Sequence, residues 1–200
     1  MRWQRFFEDL EHQLDSEWEA ERAALQTEAE RLRLSRLALQ ERLGALADDG
    51  AAVTVEFSAA RILRGRATGA GADWVSLDLD LGLDTRRHGS AALVPTGAIE
   101  AVAAPEPDLL RSARPRAPRP PSTERMTFGF VLRDLVRRRT AVRVHTDSGR
   151  EWVGTIDRAG ADHLDLSLHD PGAPRRAEAV VGQRVVALRA VSWVQLGSAG

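Results

Sequence analysis

Residues 163–169, "HLDLSLH", set two imidazoles and a carboxylate at alternating positions, so that one strand face would carry His163, Asp165 and His169. These are metal-ligand types. Six residues of strand span about 20 Å, however, so one ion cannot bridge the two histidines. The sequence therefore offers no metal site. Asp73 and Asp162 each follow a Gly-Ala pair and are expected to close tight turns by accepting local backbone N–H groups. Catalytic chemistry is poorly supplied. The chain has no Cys, no G-x-S-x-G and no P-loop. No catalytic residue, cofactor or small-molecule substrate is expected, and the protein reads as a non-enzyme.

The remaining chemistry is charge and apolar surface. All 28 basic residues are Arg, against 29 acidic residues, for a net charge of −1. A near-neutral chain has no general attraction for polyanions. Locally the balance shifts. Residues 1–50 carry 7 Arg and 12 acids, whereas 105–139 carry 9 Arg and 4 acids. Arg114, Arg116 and Arg119, with Arg137, Arg138 and Arg139, form the basic concentration and are candidate nucleic-acid contacts. No aromatic residue lies among the first three to stack on bases. The second candidate surface is apolar. Trp3, Phe6, Phe7, Leu10, Leu14 and Trp18 crowd the beginning of the chain and are candidates for a protein interface.

These residues must be positioned by elements. Residues 2 to about 46 contain no Pro and read as one long helix. Trp3, Phe7, Leu10 and Leu14 share one helical face. Trp18, Leu25, Leu32, Leu39 and Leu46 then recur every seven residues, a stripe suited to another helix. Asp48, Asp49 and Gly50 end the helix. No run of about 18 apolar residues is present to cross a membrane. The first residues are too charged for a signal peptide, and a cytoplasmic protein is expected.

Beyond the helix the chain repeats itself. Residues 52–80 align with 141–169 at a constant shift of 89. Identical pairs include Val53/Val142, Val55/Val144, Gly65/Gly154, Asp73/Asp162, Leu77/Leu166 and Leu79/Leu168. After a loop the match resumes at a shift of 92, pairing "LVPTGAIEAV" with "VVALRAVSWV". This is an internal duplication. Each copy alternates apolar and polar residues in short runs, with an internal Gly that marks a bend. Five short bent strands per copy predict a small barrel. In the third strand the inward leucines recur, while the outward residues differ: Trp74, Ser76 and Asp78 against His163, Asp165 and Ser167. Between the copies, "PEPDLLRSARPRAPRPPSTER" reads as a Pro- and Arg-rich linker that is semi-extended and does not pack a core. Residues 127–139 then read as a short amphipathic helix capped by Thr127.

The phrases "GRATGAGADWVSLDL" and "GTIDRAGADHLDLSL" resemble the Sm/LSm-like, or SH3-like, barrel. The whole chain is also similar to a family of uncharacterised actinobacterial proteins, some of them labelled transcriptional regulators. The resemblance implies a mainly β protein with helices, built from two tandem five-stranded barrels. The expected layout is an N-terminal helix over 1–50, a first barrel over 51–104, a linker over 105–126, and a short helix plus second barrel over 127–196. Sm proteins bind single-stranded RNA partly through an Asn-bearing loop and an Arg-Gly pair. This chain has no Asn and reads "VPTGA" and "VALRA" at the second motif. The resemblance therefore implies a barrel without its RNA site. Two functions are expected to compete. One is a non-catalytic interaction scaffold that self-associates or docks a protein partner. The other is a nucleic-acid-binding regulator using the arginines.

Overall fold

The structure is a computed structural model that describes residues 2–79, 90–116, 120–170 and 180–196, without the side chains of 2–17, 20 and 121. The chain divides into two compact units at Ala38/Leu39.

The first unit is a single helix, α1 (Arg2–Arg36). The expected continuous helix to residue 46 is interrupted at Leu37–Ala38, and α2 (Leu39–Asp48) begins anew. Neither Pro nor Gly causes the break. What distinguishes α2 is its anchorage. Gln40 donates to the Trp74 and Gly71 carbonyls and accepts from Thr96 Oγ1 at 2.6 Å. Leu43, Leu46 and Ala47 are buried in a core. The seven-residue stripe is thereby divided: Leu46 is a core residue, whereas Trp18, Leu25 and Leu32 are exposed. Gly50, at φ +60°, ends α2 in the left-handed region that glycine tolerates best.

The second unit is built on ten strands: β1 (Ala52–Phe57), β2 (Arg61–Ala70), β3 (Trp74–Leu79), β4 (Ala91–Pro95), β5 (Ala101–Ala103), β6 (Ala141–Thr146), β7 (Glu151–Ala159), β8 (His163–Leu168), β9 (Gly182–Ala187) and β10 (Val191–Leu196). The duplication is visible strand by strand. Gly65 pairs with Leu79 and Gly154 with Leu168. The β2/β3 register shifts between Ala67 and Gly69, and the β7/β8 register shifts at the corresponding Ile156 and Arg158. A Cβ at Gly65 would lie 2.3 Å from the Asp78 carbonyl oxygen. One at Gly154 would lie 1.9 Å from that of Ser167. The bend therefore requires glycine because the next strand crosses against its backbone.

The two expected barrels do not form. All ten strands belong to one open antiparallel sheet in the order β5-β1-β2-β3-β4-β10-β6-β7-β8-β9. Closing the first group would require β4 to pair with β5. Instead β4 pairs with β10, through Leu93–Val194, Ala92–Gln195 and Ala91–Leu196. β5 is three residues long and pairs with β1. The repeat signal specified strands and their local register. It did not specify which edges would meet.

The segment between the repeats is also more structured than an extended linker. It contains α3 (Glu106–Ser112) and α4 (Pro121–Glu124). Arg42 of α2 donates to Ser112 Oγ at 3.1 Å and to the Leu109 carbonyl at 2.8 Å, and Ser112 is buried. Pro stiffens chain but is admitted in a first helical turn, where its missing N–H is not needed. After α4 comes α5 (Phe128–Arg138), where Thr127 Oγ1 accepts from the Phe130 N–H as expected of a cap. Among the described residues, no helix is long and apolar enough to cross a membrane.

Candidate functional site

The junction of the two repeats is made by exchange of tryptophans. Trp74, from the first repeat, lies in the second core with Leu93, Phe128, Leu132 and Val194. Its Nε1 donates to the Met126 carbonyl at 2.9 Å. Trp193, from the second repeat, lies in the first core with Phe57, Ala67, Ala92 and Val94. The Phe57 and Trp193 rings are 4.9 Å apart. His145 stacks on Trp193 at 4.2 Å, and the Arg61 guanidinium sits 5.2 Å from its centroid. Arg61 also donates to Ser192 Oγ at 2.6 Å. Burial pushes the His145 imidazole down to about 4, helped by the charges of Arg143 and Arg61 and opposed by its hydrogen bond to Gln195. His145 is therefore neutral at pH 7, despite Glu151 3.6 Å away.

Asp73 does not close a local turn. Its Oδ1 accepts from the Phe128 N–H at 2.6 Å, fastening the first repeat to the first turn of α5. Its counterpart Asp162 pairs instead with the neighbouring His163, which lowers the carboxyl's pKa. The residues weighed for a metal are dispersed among other partners. Asp165 lies 3.6 Å from Arg158, and buried His169 is bonded to Thr155 Oγ1 and the Asp170 carbonyl.

Three of the six candidate nucleic-acid arginines are paired with carboxylates. Arg116 is bound to Asp49 and to the Ala45 carbonyl. Hydrogen bonding by Arg116, with the Arg111 charge, lowers the Asp49 carboxyl's pKa. Arg137 and Arg138 both hold Asp134, at 2.6 and 2.7 Å, and lower its pKa. Arg139 is the left-handed C-cap of α5, at φ 52°, and makes no ion pair among the described residues. Arg114 is exposed, and Arg119 lies outside the described residues. Of the interface candidates, Trp3, Phe6, Phe7, Leu10 and Leu14 fall within α1, but their side chains lie outside the described residues. Trp18 is 65% exposed.

Two features escaped the sequence reading. One is the junction cluster of Arg61, His145 and Trp193. The other is the outer side of β9, where Val185 is 74% exposed and Val181 is also exposed. Beside it, a groove of about 780 Å³ is lined by Arg137, Arg139, Arg158, Arg184, Ile156 and Leu166, among others. The differences between aligned repeats held the signal: Trp74 against His163, Ala101 against Trp193, and Ala92 against Arg184. No family model matches the chain, and neither a curated protein nor a solved structure matches it.

Proposed function

We propose that the protein is a non-catalytic interaction scaffold that self-associates through α1. The carrying observation is the exposed stripe on that helix: Trp18 and Leu25 are each 65% exposed and Leu32 is 49% exposed, at seven-residue intervals. A heptad stripe fits the seam of another helix better than a flat surface. Charge supports a second copy in antiparallel orientation. Residues 8–21 carry Glu8, Asp9, Glu11, Asp15, Glu17, Glu19 and Glu21 and no Arg, while 31–36 carry Arg31, Arg33 and Arg36 and no acid, Arg31 and Arg33 also pairing with Glu28 and Glu30 of the same helix. Antiparallel pairing sets these stretches against each other.

The nucleic-acid reading has less support, because Arg116, Arg137 and Arg138 are already bound to carboxylates. The molar mass of the full chain by light scattering tests the proposal. A dimer or larger species is expected, converted to monomer by Leu25→Glu with Leu32→Glu. A monomer throughout the micromolar range overturns it. Oligonucleotide binding at two salt concentrations tests the other reading, with no binding expected even at low salt.

A further inference from the structure

The intrachain junction provides a template for a site that the chain leaves open. Strand β4 of the first repeat corresponds to β9 of the second at the shift of 92, so Leu93 corresponds to Val185 and Ala92 to Arg184. The outer edge of β4 is paired with β10, and Leu93 is 5% exposed. Among the described residues β9 is the last strand of the sheet and has no partner on its outer edge, and Val185 is 74% exposed. In the first repeat Trp193 enters the core beside Ala67 and Ala92. In the second, the corresponding positions are Ile156 and Arg184, and both line the 780 Å³ groove. β9 thus presents what β4 presents, with a groove where β4 has a tryptophan.

The groove differs from its template in charge. Arg137 is held by Asp134, and Arg158 is 3.6 Å from Asp165. Arg139 and Arg184 have no carboxylate partner among the described residues, and Arg184 donates to the carbonyl of neighbouring Gln183. The other end of the sheet is poorer in edge. β5 has three residues and is followed closely by Pro105, which cannot donate to a ladder. β9 has six residues and no Pro.

We propose that β9 is a docking edge for an extended acidic segment of a partner protein. The segment adds a strand beside β9, sets an apolar side chain against Val185, as Val194 lies opposite Leu93, and directs the next side chain, a carboxylate, into the groove towards Arg184 and Arg139. Successive side chains of the added strand alternate between these two positions, and Arg184 and Val185 both border the groove. A peptide fits better than nucleic acid because a strand edge is matched by the N–H and C=O groups of another peptide backbone, which a sugar-phosphate chain lacks. The proposal rests on the reading of the chain as an interaction scaffold but uses a surface distinct from α1.

The test uses the full chain and three blocked octapeptides that alternate valine with glutamate, glutamine or lysine, titrated calorimetrically. Saturable binding of the glutamate peptide is expected, at least tenfold tighter than the lysine peptide. Arg184→Glu is expected to reverse that order. Val185→Asp is expected to weaken binding of the glutamate peptide at least tenfold while leaving the urea midpoint unchanged. Equal affinity for the three peptides, no response to Arg184→Glu, or displacement of the peptide by a single-stranded oligonucleotide overturns the proposal. Repeating the titration on Leu25→Glu/Leu32→Glu separates the two surfaces. Retained peptide binding by a chain that never self-associates rejects the role of α1 alone. Helix-dependent assembly without peptide preference rejects the role of β9 alone.

Discussion

Strands β4 and β9 occupy the same place in the two repeats and meet opposite surroundings. The outward face next to β4, carrying Trp74 and Leu93, is buried in the neighbouring core. The outward face next to β9, carrying His163 and Val185, is exposed. The fold of each strand is inherited from the duplication. Its partner is set by what diverged afterwards. Asp73 bonds to α5 and Asp162 to its own neighbour. Trp193 enters the other repeat's core, whereas its counterpart Ala101 is exposed at the sheet's far end. Divergence after the duplication leaves one edge paired within the sheet and the other exposed.

The largest test of that comparison is removal of the exchanged ring. Trp193→Ala leaves a hole in the first core and strips His145 of its stacking partner, and is expected to lower stability by about 3–5 kcal/mol in urea unfolding. Ala101→Val, a small apolar change at the aligned exposed position, is expected to stay within about 0.5 kcal/mol. Equal effects would remove the distinction between the two ends of the sheet.

The next test concerns the paired aspartates. Asp73→Ala leaves the Phe128 N–H without its acceptor and is expected to cost about 1–2 kcal/mol. Asp162→Ala, at an exposed pair, is expected to move the urea midpoint little. A smaller effect arises from His145. Its folded pKa of about 4 lies below the ordinary 6.5. A histidine held neutral by the fold contributes stability that is fully present above about pH 6.5 and is lost as pH falls towards 4. The urea midpoint of the native chain is therefore expected to fall between pH 7 and pH 5 by more than that of His145→Gln. Parallel decline in the two chains would assign the acid sensitivity elsewhere. The smallest expected effect is Val185→Asp, within about 0.5 kcal/mol, against a loss of several times that for Leu93→Asp, which buries a charge.

Much of the strand pattern was legible because alternation and repetition are local. The bends at Gly65 and Gly154 and the Thr127 cap follow from residue type and spacing. Closure was not legible. Whether β4 meets β5 or β10 depends on surfaces distant in sequence, and the five-strand count fits either outcome. The helix break at Leu37–Ala38 was not legible for the same reason: α2 is anchored just beyond it by Gln40, which reaches the sequence-distant carbonyls of Gly71 and Trp74. The pairing within the basic segment was not legible, because sequence shows Arg137 and Arg138 but not that both hold Asp134. The groove beside β9 was readable only as a substitution between aligned copies, small Ala92 against Arg184, whose meaning depends on the sheet ending there.

The position of β10 has a consequence for how the chain is built. β10 follows the nine other described strands in sequence yet is a central strand of the sheet, inserted between β4 and β6. On a ribosome the first repeat emerges with its β4 edge bare and its core lacking the indole it will later receive. That edge stays open for the whole synthesis of the second repeat, and sequence-distant pairing of this kind is slow to form. The interval is when the chain is most open to pairing with the wrong strand, so β10 acts as a latch on the sheet. A chain stopped before Val191 is expected to aggregate, and separately supplied 188–196 peptide to suppress that aggregation, as read by turbidity.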